Sequence, residues 1–155
     1  MRKRIIKTFV SKPTEQPWLD LEKIASVQMT SEDAAFPIES ALSLEGKQGW
    51  RAAEPGVQTI RLLFDQPQKL KCISLVFVET EIQRTQEFSL TWSPDWGASF
   101  QEIVRQQWNF SFPDATREIE NYEVQLSNVT LLDMTLDPDK ENRTSRASLF
   151  SLRVA

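Results

Sequence analysis

Five separate segments of the chain place apolar side chains at every second position. In EFSLTWS, Phe88, Leu90 and Trp92 share one side while Glu87, Ser89, Thr91 and Ser93 share the other, the pattern of a strand with one face buried. TIRLLF repeats it with Ile60, Leu62 and Phe64, NYEVQL with Tyr122, Val124 and Leu126, LLDMTL with Leu132, Met134 and Leu136, and SLFSLRV with Phe150, Leu152 and Val154. A helix does not meet that period, because its apolar stripe recurs every three to four residues. LKCISLVFVE, residues 70–79, is apolar at both parities and predicts a strand in mid-sheet with its second face covered too. Turn chemistry falls between the runs: EPG at 54–56, DQPQ at 65–68, SPDWG at 93–97, FPD at 112–114, SN at 127–128 and DPDKEN at 137–142. Turns about ten residues apart predict an all-β chain folded as an antiparallel β-sandwich.

The remaining segments are less regular. RIIKTFV reads as an extra edge strand, PWLDLEKI as a short helix or turn and ASVQMTS as a strand. In SFQEIVRQQWNF, Phe100, Val104 and Trp108 recur every four residues, which fits a helix as well as an irregular strand. A length of 155 residues predicts one domain spanning 1–155, with 1–23 as an N-terminal arm or additional edge strand.

Composition narrows the chemistry. The chain has no histidine, which removes the commonest acid/base at neutral pH and the commonest metal ligand. The expectation is a protein that is not an enzyme, with no catalytic residue, no cofactor and no metal. Glu118 and Glu120 stand two apart with no evident acid facing them across a cleft. The single Cys72 permits no disulfide within the chain and reads as a small buried hydrophobe. The apolar run after the basic start MRKR is broken by Lys7, too short for a secretory core or a membrane span, so cytoplasmic residence is expected. Five of the 18 basic residues lie in the first twelve positions, leaving 13 basic against 22 acidic residues over 13–155. A body at −9 repels phosphate backbones on average, so a nucleic-acid partner is not expected without a locally basic patch.

The order of signals resembles the discoidin, or factor V/VIII C-type, module of the galactose-binding-like jelly rolls. ASVQMTSE is followed by the acidic-glycine turn Glu45-Gly46 and by Trp50, then by TIRLLFDQPQKLKCISLVF, FSLTWSPDWGASFQEIV and the closing ASLFSLRV. The likeness spans roughly residues 24–155 and implies a jelly roll that binds a carbohydrate or similar small polar ligand through loops at one end. Members that hold calcium do so near the acidic-glycine turn and a glutamate in the last strand; here those places fall to Glu45 and Ser151, which argues against a metal. WRAAEPGVQTI, residues 50–60, is also similar to the N-terminal domains of eukaryotic single-strand-break repair scaffolds, which implies a protein-interaction or assembly role, with nicked DNA as a further ligand.

Five residues are the candidates for ligand binding: Trp96, Trp108, Arg105, Arg51 and Asn109. Trp96 lies in the turn SPDWG, where a side chain is hard to bury and an exposed indole face offers a platform for a sugar ring. Trp108 with Arg105 and Asn109 combines stacking with hydrogen bonding. Trp50 is expected to pack and Arg51 to stand free, with Glu54 as a possible ion partner. Trp92 is expected inside. Asp137, Asp139 and Glu141 lack the glycine and terminal glutamate of a calcium loop, and Arg143 and Arg146 read as their ion partners or as grips for an anion.

Overall fold

Two strands of 21 residues organise the molecule. A computed structural model describes residues 2–3, 17–45 and 48–155. In it β3 (Gln58–Val78) and β6 (Arg117–Asp137) pair antiparallel along their length, with register shifts between Leu63 and Cys72. Asp65, Gln66 and Pro67 are exposed there, and Asn128 on the facing strand has a φ of 60°. Proline has no N–H to give to a ladder and asparagine tolerates left-handed backbone. DQPQ and SN, which read as turns, therefore bend strands that continue through them.

The bends divide both strands between two layers. The first half of β3 pairs with β1 (Ala25–Met29) and with the second half of β6, which continues to β4 (Arg84–Ser93) and β5 (Gln101–Phe110). The second half of β3 lies between the first half of β6 and β8 (Ser151–Val154). A separate ribbon joins β2 (Trp50–Pro55) to β7 (Arg146–Leu149). Inward side chains of the larger layer, including Ile60, Leu62, Phe88, Leu90 and Met134, meet Ile73, Leu75, Phe77 and Leu152 of the smaller one. Phe77 and Phe88 join the layers with ring centroids 5.2 Å apart. Each fully buried side chain of this size contributes about 1.5–3 kcal/mol, so the alternation seen in the sequence is what holds the sandwich shut.

Two strand readings change and one that was open is settled. Ser74, Val76 and Val78 on β3 are only half-buried, so the outer face of LKCISLVFVE has no covering layer. SLFSLRV is not one strand: it breaks at Phe150, where the chain leaves β2 and joins β3, and Phe150 itself is half-buried while Leu149, Leu152 and Val154 are buried. SFQEIVRQQWNF becomes the edge strand β5, with Phe100 in the turn before it. PWLDLEKI contains the one-turn helix α1 (Leu21–Ile24), and a second, α2 (Glu39–Leu42), follows β1. RIIKTFV lies outside the described residues. From Pro17 the chain runs along the edge of β8, where the Leu19 N–H donates to the Val154 carbonyl at 2.8 Å. Cys72 is buried and free, and burial pushes its thiol pKa up.

The two ends of the sandwich differ. The bends and the β4–β5 turn share one end, since Ser93 pairs with Leu131 beside the bend. The other end is open and gathers the loops at 30–38, 79–83, 111–116 and 138–145 together with β2 and β7.

Candidate functional site

Trp50 and Arg51 begin β2, and strand alternation sends their side chains opposite ways. Trp50 is 1% exposed, and its indole N–H donates to the Ser31 carbonyl at 3.2 Å. The Arg51 backbone ties down the 30–38 loop: its N–H donates to the Phe36 carbonyl at 3.2 Å and its carbonyl accepts the Asp33 N–H at 2.9 Å. Those bonds set the Phe36 ring beneath the guanidinium, 4.7 Å from ring centroid to Cζ, within cation–π range. Arg51 is exposed and has no ion pair among the described residues; the Glu54 N–H instead donates to Ser31 Oγ.

Gly49 fixes the approach to this pair. It has a φ of 74°, and a Cβ there would stand 2.6 Å from the Leu149 carbonyl oxygen and 2.7 Å from Phe150 Cα. Only glycine lets β2 press so closely on the β7–β8 junction. Phe150 is thereby brought to the same cleft as Arg51.

The cleft at the open end holds about 250 Å³ and is lined by Phe36, Gln48, Arg51, Glu79, Glu81 and Phe150, among others. Glu79 is fixed from behind. Arg84, 3% exposed, donates from Nε to Glu79 Oε1 at 2.8 Å, while its Nη1 donates to Gln86 Oε1 at 2.8 Å and to the Pro138 carbonyl at 2.7 Å. The Arg84 guanidinium also stands 4.6 Å over the Phe110 ring. A pinned carboxylate, a free guanidinium and two aromatic rings around a space of this size can orient a small polyhydroxylated ligand: acceptor and donor for hydroxyls, ring faces for C–H surfaces.

The five candidates do not converge on this cleft. Arg51 alone among them lies there. Trp96 is 56% exposed at the opposite end, held at a φ of 57° with its N–H donating to Thr130 Oγ1 at 2.9 Å. Asp95 shapes that turn by accepting from Ser99 and Ser93, bonds that hold its carboxyl below the usual range. Trp108, Arg105 and Asn109 are on β5, but strand geometry separates them: Trp108 pairs with Gln86 and faces inward, whereas Arg105 and Asn109 point out with Ser89 and Thr85. The stacking and hydrogen-bonding groups of this set therefore lie on opposite faces of the edge strand. Trp108 packs against the core; Arg105 bonds to Glu102 at 3.1 Å; Asn109 accepts from the Thr85 hydroxyl at 2.9 Å.

The acidic loop is also accounted for. Asp139 accepts the N–H groups of Thr85 and Glu141, and Arg143 stands 3.5 Å from Asp137. Among the described residues no group of three or more acidic or cysteine side chains is placed to hold a metal ion, and no helix is long and apolar enough to cross a membrane.

Sequence reasoning missed a polar network inside the sandwich. Glu118 is 0% exposed and accepts from Gln86 Nε2 at 3.1 Å; burial first, then the neighbouring Glu120 carboxylate, pushes its pKa up to about 8. Tyr122 donates to Glu120 Oε2 at 3.3 Å, and its pKa is raised by burial and that carboxylate. Period two did put Glu118, Glu120 and Tyr122 on one face, but nothing in the sequence marks that face as the inner one at Glu118.

No family model and no curated protein matches the sequence. Solved structures do match in fold. The family 32 carbohydrate-binding module of C. perfringens NanJ, in complex with galactose, superposes with a TM-score of 0.65 at 12% identity over 88% of this chain and 96% of that one. A pectin-binding module aligns at 0.62 and 19% identity over 84% and 89%. A Ruminococcus gnavus family 29 fucosidase matches at 0.65 and 9% identity, but over only 26% of its own length. At these identities the likeness is one of fold: the chain shares the β-sandwich fold of these modules, an all-antiparallel sandwich as its alternation predicts.

Proposed function

We propose that the protein is a non-enzymatic binding module that takes a carbohydrate in the open-end cleft. The observation that carries this reading is the placement of Arg51 over Phe36 in the cleft that the pinned Glu79 also lines. A guanidinium donates to hydroxyl oxygens, a carboxylate accepts from hydroxyls, and the rings of Phe36 and Phe150 offer apolar surface to the C–H face of a pyranose. Modules of the same fold in complex with galactose and with GalNAc-β-1,3-galactose support the choice of ligand class. Trp50 borders the cleft, so its fluorescence reports occupancy directly. Titration with a panel of monosaccharides at millimolar concentration tests the reading: a saturable change lost in Arg51→Ala supports it, and silence across the panel overturns it.

A second reading, a protein-interaction or assembly domain, draws on the opposite end. Trp96 is 56% exposed and Phe100 41%, both flanking Gly97, and exposed aromatics so close together are a common anchor for a partner. Pulldown with Trp96→Ala as the control tests it; recovery of the same partners by both proteins removes Trp96 as the anchor.

A further inference from the structure

The outer face of the smaller layer carries a second concavity. Strand register sets its outward side chains in rows: Arg153, Ser74 and Asn121 lie abreast, then Ser151, Val76 and Ile119, then Arg117 beside Val78. With Trp18 and Phe150, all of these except Val78 line a groove of about 450 Å³. Among the described residues no carboxylate lines it, on a protein with 22 acidic against 18 basic residues. Arg117 stands 5.7 Å over the Phe150 ring and has no carboxylate partner among the described residues. Arg153 donates from Nη2 to the Leu44 carbonyl at 3.0 Å, while its Nε is buried without a hydrogen-bond partner.

The groove continues into the end cleft. Phe150 lines both, and Val78 of the cleft is the register partner of Arg117 of the groove. From Ser74 to Val78 the track runs about 13 Å at roughly 3.3 Å per strand residue, longer than one sugar ring. Its chemistry is mixed along that length: Val76, Ile119 and Phe150 give an apolar floor, Ser74, Ser151 and Asn121 give hydrogen-bonding groups, and the arginines give positive charge at either side.

We propose that cleft and groove form one continuous track for an anionic oligosaccharide, with a terminal unit in the cleft and carboxylate-bearing units held by Arg117 across the sheet face. This rests on the carbohydrate reading of the cleft and adds to it the length and charge of the ligand. A guanidinium binds a carboxylate through two parallel N–H···O bonds, and among the described residues no acid lines the groove or pairs with Arg117. Uronate units meet both demands, an apolar ring face and a carboxylate.

A glycan array carrying uronate-bearing and neutral oligosaccharides, probed with the full chain, Arg51→Ala, Arg117→Gln and Arg117→Lys, tests the proposal. Arg117 is exposed on the first half of β6, which pairs with β3 but not with β4, and near-ultraviolet circular dichroism checks that the variants are folded. The expected result is at least a tenfold preference for uronate oligomers over neutral ones, lost in Arg117→Gln and kept in part by Arg117→Lys. Equal binding of acidic and neutral glycans, all sensitive to Arg51→Ala, overturns the track and leaves the cleft reading standing. Binding of no glycan overturns both. A nicked DNA duplex is the control polyanion: if it binds in an Arg117-dependent way while uronates do not, the groove recognises phosphate and the proposal falls.

Discussion

Arg84, buried in the sandwich, reaches Glu79 at the rim of the open-end cleft through a 2.8 Å bond from Nε to Oε1. The guanidinium thus ties the interior to the rim of the cleft. Removing it leaves Glu79 unpinned and strips donors from Gln86 and the Pro138 carbonyl. Breaking one side of a buried pair costs about 3–5 kcal/mol. Arg84→Met is expected to lose stability of that order in urea unfolding; a loss of less than about 1 kcal/mol would show that the pair matters little.

Glu118 gives the protein a pH dependence of a particular sign. Its carboxyl, ordinarily at 4.5, is raised to about 8 in the fold, so between these values the unfolded chain releases a proton that the folded one keeps. Stability is undiminished below about pH 4.5 and falls as the pH rises towards 8. Glu118→Gln keeps an acceptor for Gln86 and removes the titration. Thermal melts are expected to show the variant gaining on the order of a few kcal/mol at pH 8 and nothing of that kind at pH 4.5. A gain of equal size at both would place its origin in packing.

Ligand affinity is expected to separate the two ends. Arg51→Ala removes a charged donor worth about 1.5–3 kcal/mol, a tenfold or larger rise in Kd for a cleft ligand. Trp96→Ala, at the far end, is expected to leave that Kd unchanged. Calorimetry with the best monosaccharide of the panel reads both.

Gly49→Ala is expected to destabilise by more than about 1 kcal/mol, because the added methyl meets backbone atoms at 2.6 and 2.7 Å and the φ is 74°. Gly56→Ala makes the matched comparison. Its φ is 86° but nothing lies within 4 Å, so it isolates the backbone term, and a smaller loss there measures the close approach at Gly49.

The layers of the sandwich were legible because burial imposes period two on every paired segment, and the inward sets at Ile60, Phe88, Leu132 and Leu152 follow it. The bends were not, since Pro67 and Asn128 are turn residues by type whether a strand ends there or only changes layer. Arg51 could be singled out from its neighbour Trp50 because a strand divides adjacent side chains between two faces. Phe36, Glu79 and Phe150 could not be joined to it: their meeting depends on backbone bonds from Arg51 to the 30–38 loop and on the Gly49 contact, both of long range. Trp108 falls on the opposite face from Arg105 and Asn109 because SFQEIVRQQWNF, whose period fits a helix as well as a strand, folds as the edge strand β5.

Because β3 and β6 each run through both layers, neither sheet owns a complete set of strands. Peeling one away would tear hydrogen bonds from chains whose other halves remain zipped to the second, so the sandwich has no seam along which to come apart. Amide hydrogens on both sides of the bends should therefore exchange with a common free energy, the molecule opening as a single body.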